Sequence, residues 1–259
     1  MRMMKKVLGT VTVLALSVSL LAGCGSTAVS PVSSTASTAA ESTTSSVVSE
    51  TTSAAADENE AAAAQLLNDL TGSYQELWPV ILADEYKQTW LDDCTALVGE
   101  DNAEAAFEKL SSMVTGDVYG EDAVKAYANG GGAYFCGFTN SLATLTFDGE
   151  TSTISGTDKD GNVLFSHTYH YIGMEPVHGL YEFESDDADS GEFTYFFLAP
   201  DTSAETYHIE FRYGSDAEAL SQYDTGEYAY WLASGISTDC DQTMIDNCIE
   251  LFCTENLAG

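Results

Sequence analysis

Seven short runs rich in aromatic and β-branched residues constrain the fold of this chain more than any other feature. Asp148-Gly149 and Asp160-Gly161 lie between some of these runs, and Asp-Gly pairs are typical of two-residue hairpin turns. Short strands joined by tight turns predict an antiparallel meander that closes into a barrel. The runs cover residues 133–138, 141–147, 151–155, 163–172, 180–184, 193–198 and 207–213.

Helical patterns flank the predicted strands. Residues 58–70, 74–81, 103–113 and 122–127 have helical spacing, and Pro79 predicts a kink in the second of these segments. Residues 238–253 predict a final helix whose buried face contains Met244, Ile245, Cys248, Ile249 and Phe252. The predicted order is helices, then a barrel, then a helix, which is a mainly β fold with flanking helices (α+β).

The first 23 residues predict a lipoprotein signal peptide. Basic residues at positions 2, 5 and 6 precede an apolar run at 7–21, which is short for a membrane-spanning helix. The run ends in Leu21-Ala22-Gly23-Cys24, a lipoprotein cleavage box, although an ordinary secretory signal with an incidental cysteine would look similar. We predict that Cys24 is lipidated and anchors the chain to the outer side of the bacterial cell membrane.

The mature chain divides into a tether and one domain. More than half of residues 25–56 are Ser or Thr and none is aromatic, so this segment cannot bury enough apolar surface to offset its chain entropy. We predict that residues 24–56 are the lipidated cysteine and a disordered tether. Residues 57–259 are long enough to form one domain with a sizeable core.

The chain is very acidic, with 8 basic and 41 acidic residues. Signal removal takes three basic residues away, which leaves five against 41 and a net charge of −36. Nucleic acid is excluded as a partner because almost nothing could neutralise its phosphates. A divalent cation is the natural partner for the negative electrostatic field of such a chain. The alternative interpretation is that the acidic residues serve only to keep the protein soluble.

Five cysteines remain after Cys24, and no pair has the CxxC spacing of a zinc knuckle or thioredoxin-like site. The number is odd, so at least one thiol stays free or pairs between chains. A disulfide from Cys240 to Cys94 or Cys136 is consistent with the sequence, which does not assign the pairing among these three, Cys248 and Cys253.

Five local motifs follow one another between residues 72 and 220: GSYQELWP at 72–79, TYHYIG at 168–173, DADSGEFTY at 187–195, YHIEF at 207–211 and GSDAEAL at 214–220. Their order and spacing resemble the ZinT (YodA) family, which includes the C-terminal domain of AdcA-type zinc lipoproteins. The resemblance covers residues 70–237 and implies a calycin-like, lipocalin-type barrel. It also implies extracellular binding of Zn²⁺, often for delivery to an ABC importer.

The resemblance places three zinc-binding histidines in the barrel mouth, and this chain keeps one of them. The second histidine of the family's H-x-H motif is His208, whereas the first falls on Thr206. The histidine upstream of the Ala-Pro pair falls on Phe196 or Phe197. Neither Thr nor Phe replaces an imidazole, because Zn²⁺ takes N, S or carboxylate O donors.

Other residues could rebuild the site. His208 and Glu210 share one face of a strand because side chains alternate, and His178 lies near the start of another strand. His167 and His170 are three residues apart and would point to opposite faces. The predicted metal ligands are therefore His208, Glu210 and His178. A hydrogen-bonded barrel histidine without metal is the alternative interpretation of His208.

Two other functions compete with metal binding. Phe196, Phe197, Tyr195 and Tyr207 would suit a barrel that binds an apolar small molecule. A surface patch around Tyr228, Tyr230 and Trp231 would suit a protein partner. We predict that the chain is not an enzyme, because the sequence has no Ser-His-Asp motif, no phosphate loop and no recognisable carboxylate pair.

Overall fold

The computed structural model describes residues 47–200 and 208–258, with side chains from Glu58 onwards. Within these residues, eight strands pair antiparallel in chain order, and β1 also pairs with β8 to close a barrel. Closure leaves no unpaired strand edge. The predicted barrel with flanking helices is confirmed. The strands are β1 Gly72–Glu76, β2 Thr144–Asp148, β3 Thr153–Thr157, β4 Val163–Met174, β5 Tyr181–Ser185, β6 Tyr195–Leu198, β7 His208–Gly214 and β8 Ala233–Ser237.

The helices lie before, between and after the strands. One precedes the barrel, four lie between β1 and β2, one follows β7, and one ends the described chain. None of the helices in the described ranges combines the length and apolarity that a membrane crossing requires. They are α1 Val47–Asp69, α2 Leu77–Ile81, α3 Lys87–Val98, α4 Glu100–Val114, α5 Glu121–Ala128, α6 Ala217–Leu220 and α7 Gln242–Leu257, with 3₁₀ turns at Asp84–Tyr86 and Gly191–Phe193.

Aromatic side chains fill the barrel interior. Phe196 on β6 pairs with Tyr213 on β7, and its ring lies 5.4 Å from those of Tyr169 and Tyr213. Phe196 and Tyr213 have no exposed surface. The filling leaves little spare room: a Cβ at Gly156 would lie 2.4 Å from the ring of Phe165. The barrel is therefore a packed core rather than an open cup.

A second core lies outside the barrel, and we call it the helical cluster. It packs α2, α3, α4 and α7 against the outer face of β8, from which Ile236 points outward. Trp90 on α3 is fully buried there, and its ring lies 5.8 Å from that of Phe252 on α7. Asp241 caps α7 by accepting a hydrogen bond from the backbone N–H of Met244.

The predicted helix over residues 74–81 is wrong in its first part. Tyr74 lies on β1, opposite Leu145 on β2 and Ser237 on β8, with its buried ring against Phe147. Helix α2 then begins at Leu77, so Pro79 falls in its first turn. Pro79 is tolerated there because the N–H groups of a first turn have no helical acceptor. Pro79 therefore lies at the start of a short helix and not in the middle of the longer one that was predicted.

Other elements differ from their predictions because tertiary contacts override local composition. The predicted strand at 133–138 forms only isolated bridges, from Phe135 to Thr115 and to Trp231. Strand β8, with the sequence ASGIS, was not predicted because it is poor in aromatic residues, yet it is the strand that closes the barrel. Helix α3 was also missed, since its apolar residues are few and only Trp90 and Cys94 are buried.

Several N-terminal predictions concern residues outside the described ranges. The signal peptide, the lipidation of Cys24 and most of the predicted tether belong to this group. Helix α1 begins at Val47, before the predicted end of the tether at residue 56. Alanines at 54–56 and 61–64 favour this helix, and Leu66, Leu67 and Leu70 then pack against the barrel core.

Replacing Phe196 by alanine tests the packed interior. We expect Phe196→Ala to lower the free energy of unfolding by about 3–5 kcal/mol, because it removes a fully buried ring and leaves a cavity. Val163→Ala is the control, since Val163 on β4 is 70% exposed and should change the stability by less than about 0.5 kcal/mol. Urea denaturation measures both variants. Equal effects would contradict a packed interior.

Candidate functional site

Strand β7 has two faces with different roles. Ile209, Phe211 and Tyr213 point into the barrel and belong to its core. Glu210 and His208 alternate with them and point outward, as the pairing of His208 with the outward-facing Ile236 shows. The shared face predicted for these two side chains is confirmed. It is the outer face, whereas the resemblance placed the ligands in the barrel mouth.

The outward face of β7 meets the helical cluster near Glu210. Burial raises the pKa of the Cys136 thiol to about 12, and the nearby charge of Glu210 adds to this shift. The same two causes, with burial again the larger, raise the pKa of the Cys248 thiol to about 12. Burial thus opposes the charged thiolate form of both cysteines. The imidazole of His208 and the carboxylate of Glu210 are half-buried on this same face.

His178 lies in the turn between β4 and β5, where the sequence placed it. Its ring packs against Tyr223 with a centroid distance of 3.7 Å, and its Nδ1 is 3.4 Å from the Oε2 of Glu175. Among the described side chains, at 58–200 and 208–258, no three His, Cys, Asp or Glu residues are close enough to hold a metal ion. The structure thus does not assemble His178 with His208 and Glu210, and metal binding by this trio stays a prediction.

The positions where the resemblance expects a further histidine are buried and apolar. Phe196 points into the barrel, and Phe197 points to the opposite face, paired with Arg212. Neither residue has exposed surface, so neither lines a pocket that an apolar ligand could enter. Thr206, the other degenerate position, and Tyr207 lie outside the described ranges.

The two histidines of β4 point to opposite faces, as predicted. His167 faces inward beside Phe165, and its Nδ1 is 2.8 Å from the Oδ2 of Asp187. His170 is half-exposed on the outside, with its Nδ1 2.8 Å from the Oδ1 of Asp186. Each imidazole is held by one aspartate, an arrangement that orients the ring but supplies few metal donors.

Sequence reasoning missed a buried cation on the outer face of β7. Arg212 has no exposed surface, and its guanidinium donates hydrogen bonds to the backbone carbonyls of Leu220, Gln222 and Tyr228. Its Cζ lies 4.1 Å from the centre of the Tyr223 ring. Arg212 therefore fastens the segment 220–228 against the outside of the barrel. The available signal was its position: it is the only basic residue after Lys159, and it lies in an apolar strand.

The carboxylate of Glu175 interacts electrostatically with this buried arginine. Glu175 has no exposed surface and accepts hydrogen bonds from the backbone N–H groups of Val177 and His178. Burial lowers the pKa of Arg212, while Tyr223 and the charge of Glu175 act in the opposite direction. Burial, followed by the charge of Glu175, raises the pKa of Glu182. The arrangement is an electrostatic network that holds the turn at 175–180 and the segment 220–228 on the barrel.

The predicted aromatic patch for a protein partner is not exposed. Tyr228 is 5% exposed and Trp231 is fully buried. Tyr230 is half-buried and stacks on Tyr127 with a centroid distance of 3.8 Å. A cavity of about 330 Å³ does open on the surface beside α2, lined by Trp78, Leu82 and Phe135 among others.

No protein-family model matches the chain, and no curated protein gives a significant match. Among solved structures, the chain is similar to the Zn(II)-bound ZinT-like domain of Streptococcus pneumoniae AdcA, with 17% identity, a TM-score of 0.44, and coverage of 71% of this chain and 89% of that one. It is also similar to Zn(II)-bound AdcA from the same organism, with 15% identity, a TM-score of 0.43, and coverage of 72% and 35% respectively. The first of these structures is a ZinT-like domain, the kind of domain that the sequence motifs resemble.

Replacing Arg212 tests its fastening role. We expect Arg212→Met to cost roughly 3 kcal/mol of stability, because three backbone carbonyls lose their buried donor. Amide hydrogen exchange should also accelerate in residues 220–228. Lys125→Met is the control, since the ion pairs of Lys125 are exposed and worth little. Unchanged exchange in this segment would contradict the role.

Proposed function

We propose that this chain is a lipid-anchored extracytoplasmic protein whose barrel domain binds a divalent cation, with Zn²⁺ as the first candidate. The carrying observation is the pair of donors on the outer face of β7, where His208 and Glu210 stand two residues apart and half-buried. The sequence motifs shared with zinc-binding barrels support zinc. The role is metal acquisition, with an ABC importer component as the partner, or metal buffering at the cell surface.

The chemistry of the donors supports zinc over magnesium. An imidazole nitrogen and a carboxylate oxygen are both common zinc ligands, whereas Mg²⁺ prefers oxygen donors alone. Two protein donors leave at least two positions of a tetrahedral ion to water or to a further ligand. We therefore expect binding weaker than that of a three-histidine site, which favours a protein that releases its metal readily.

The charge of the chain supports a cation as the ligand. With 41 acidic residues and few basic ones, the surface field raises the local concentration of cations. This contribution is screened by salt, because the Debye length is about 8 Å at physiological ionic strength. The field attracts cations without selecting among them, so selectivity must come from His208 and Glu210.

The N-terminal sequence supports the location. A lipidated Cys24 followed by a Ser/Thr-rich segment would hold the barrel outside the membrane at the end of a flexible connection. Acyl chains on Cys24 give stable anchoring, since each buried CH₂ contributes about 0.8 kcal/mol. A metal-binding barrel in this position meets external cations before a membrane importer does.

Calorimetric titration of the mature chain with Zn²⁺ tests the proposal. We expect saturable binding with a micromolar Kd, and we expect His208→Ala and Glu210→Gln each to weaken it at least tenfold. His170→Ala is the matched control, because it removes an imidazole that lies beside a carboxylate on β4, outside the proposed site. No saturable heat at millimolar Zn²⁺ would overturn the proposal, as would affinity that His208→Ala leaves unchanged.

A further inference from the structure

Two cysteines from distant parts of the chain meet inside the helical cluster. Cys94 on α3 and Cys253 on α7 have their Sγ atoms 3.9 Å apart, and neither has exposed surface. Both are thiols in this structure. We propose that Cys94 and Cys253 form a disulfide when the chain is exported, which assigns the pairing that the sequence left open.

The geometry favours this pair. A disulfide needs an S–S distance of about 2.05 Å, so the two sulfurs must approach by about 2 Å, within reach of side-chain rotation and small helix shifts. Helices α3 and α7 already pack together. Trp90, on the same helix as Cys94, contacts Phe252, on the same helix as Cys253. Of the two pairings of Cys240 considered from sequence, a bond to Cys94 would forgo this contact, since the sulfur beside Cys94 belongs to Cys253.

The compartment supplies the driving force. Disulfides persist in secreted and surface proteins and are rare in the cytosol. The inference rests on the export that the proposed function includes, and it does not depend on metal binding. The oxidant is a disulfide donor, either a small organic disulfide or the disulfide of a thiol oxidoreductase.

The exchange proceeds in two balanced steps. The thiolate of one cysteine attacks the donor disulfide, forms a mixed disulfide and expels one donor thiolate. The thiolate of the second cysteine then attacks the protein sulfur of the mixed disulfide, forms the Cys94–Cys253 bond and expels the second donor thiolate. The two protons lost by the cysteines end on the two donor thiols, and the donor gains the two electrons that the cysteines lose.

Burial dictates when this reaction takes place. Burial raises the pKa of both thiols, so within the folded cluster few thiolates form and no donor reaches them. The exchange therefore precedes the final packing of α7 on α3. Once formed, the bond is sealed from reductants. It ties α7 to α3 and closes a loop of the chain that contains strands β2 to β8.

Mass spectrometry of the exported full-length protein tests the pairing. Free thiols are alkylated under denaturing, non-reducing conditions before digestion. We expect a cross-linked peptide pair joining Cys94 to Cys253, and alkylated Cys136, Cys240 and Cys248. Alkylated Cys94 and Cys253, or a bond from either one to another cysteine, would overturn the proposal.

A thermal measurement gives a second readout. Reduction after unfolding should lower the Tm of the wild type by about 10 °C, because a cross-link that closes a long loop restricts the unfolded chain. Cys253→Ala should abolish this dependence on reductant, while Cys248→Ala, a buried cysteine on the same helix, should keep it. A shift that survives in Cys253→Ala would contradict the assignment. Zinc affinity is measured separately on the same oxidised protein, so failure of one proposal is distinguishable from failure of the other.

Discussion

The pairing of β1 with β8 is the constraint on which the rest of the structure depends. It closes the sheet, so side chains on one face of every strand are confined to a common interior. Aromatic residues such as Phe196 and Tyr213 fill that interior with no exposed surface. The polar side chains of β7 lie on the outer face instead, where His208, Glu210 and Arg212 alternate with the core residues of this strand. The interior of the barrel is therefore occupied by its own side chains.

Strong periodicity made part of this fold predictable. Strands β2 to β7 lie within or close to the runs predicted for them, because alternating aromatic and β-branched residues encode both the strand and its two faces. Strand β8 could not be predicted in this way, since Ala233–Ser237 has one large apolar residue and no aromatic one, and its pairing is decided by its neighbours. The last three residues of β1 were mistaken for the start of a helix, because Tyr74 and Trp78 have helical spacing by coincidence.

The candidate site was predictable in its local pattern and not in its surroundings. Alternation along β7 correctly placed His208 and Glu210 on one face, but it could not tell which face was inside. The sequence could not show whether His178 lies near the other two predicted ligands. In the structure its ring contacts Tyr223 and its Nδ1 lies near Glu175, and neither contact is visible in the sequence. Contacts between residues far apart in the sequence decide where a metal-ligating side chain lies and how deeply it is buried.

The central claim is that a cation binds on the outer face of β7 rather than in the barrel. Anomalous diffraction at the zinc absorption edge, from crystals of the mature chain soaked in Zn²⁺, tests it most directly. We expect an anomalous peak within bonding distance, about 2.0–2.2 Å, of both His208 and Glu210. A peak inside the barrel, or one at His167 and Asp187 with nothing on β7, would contradict it.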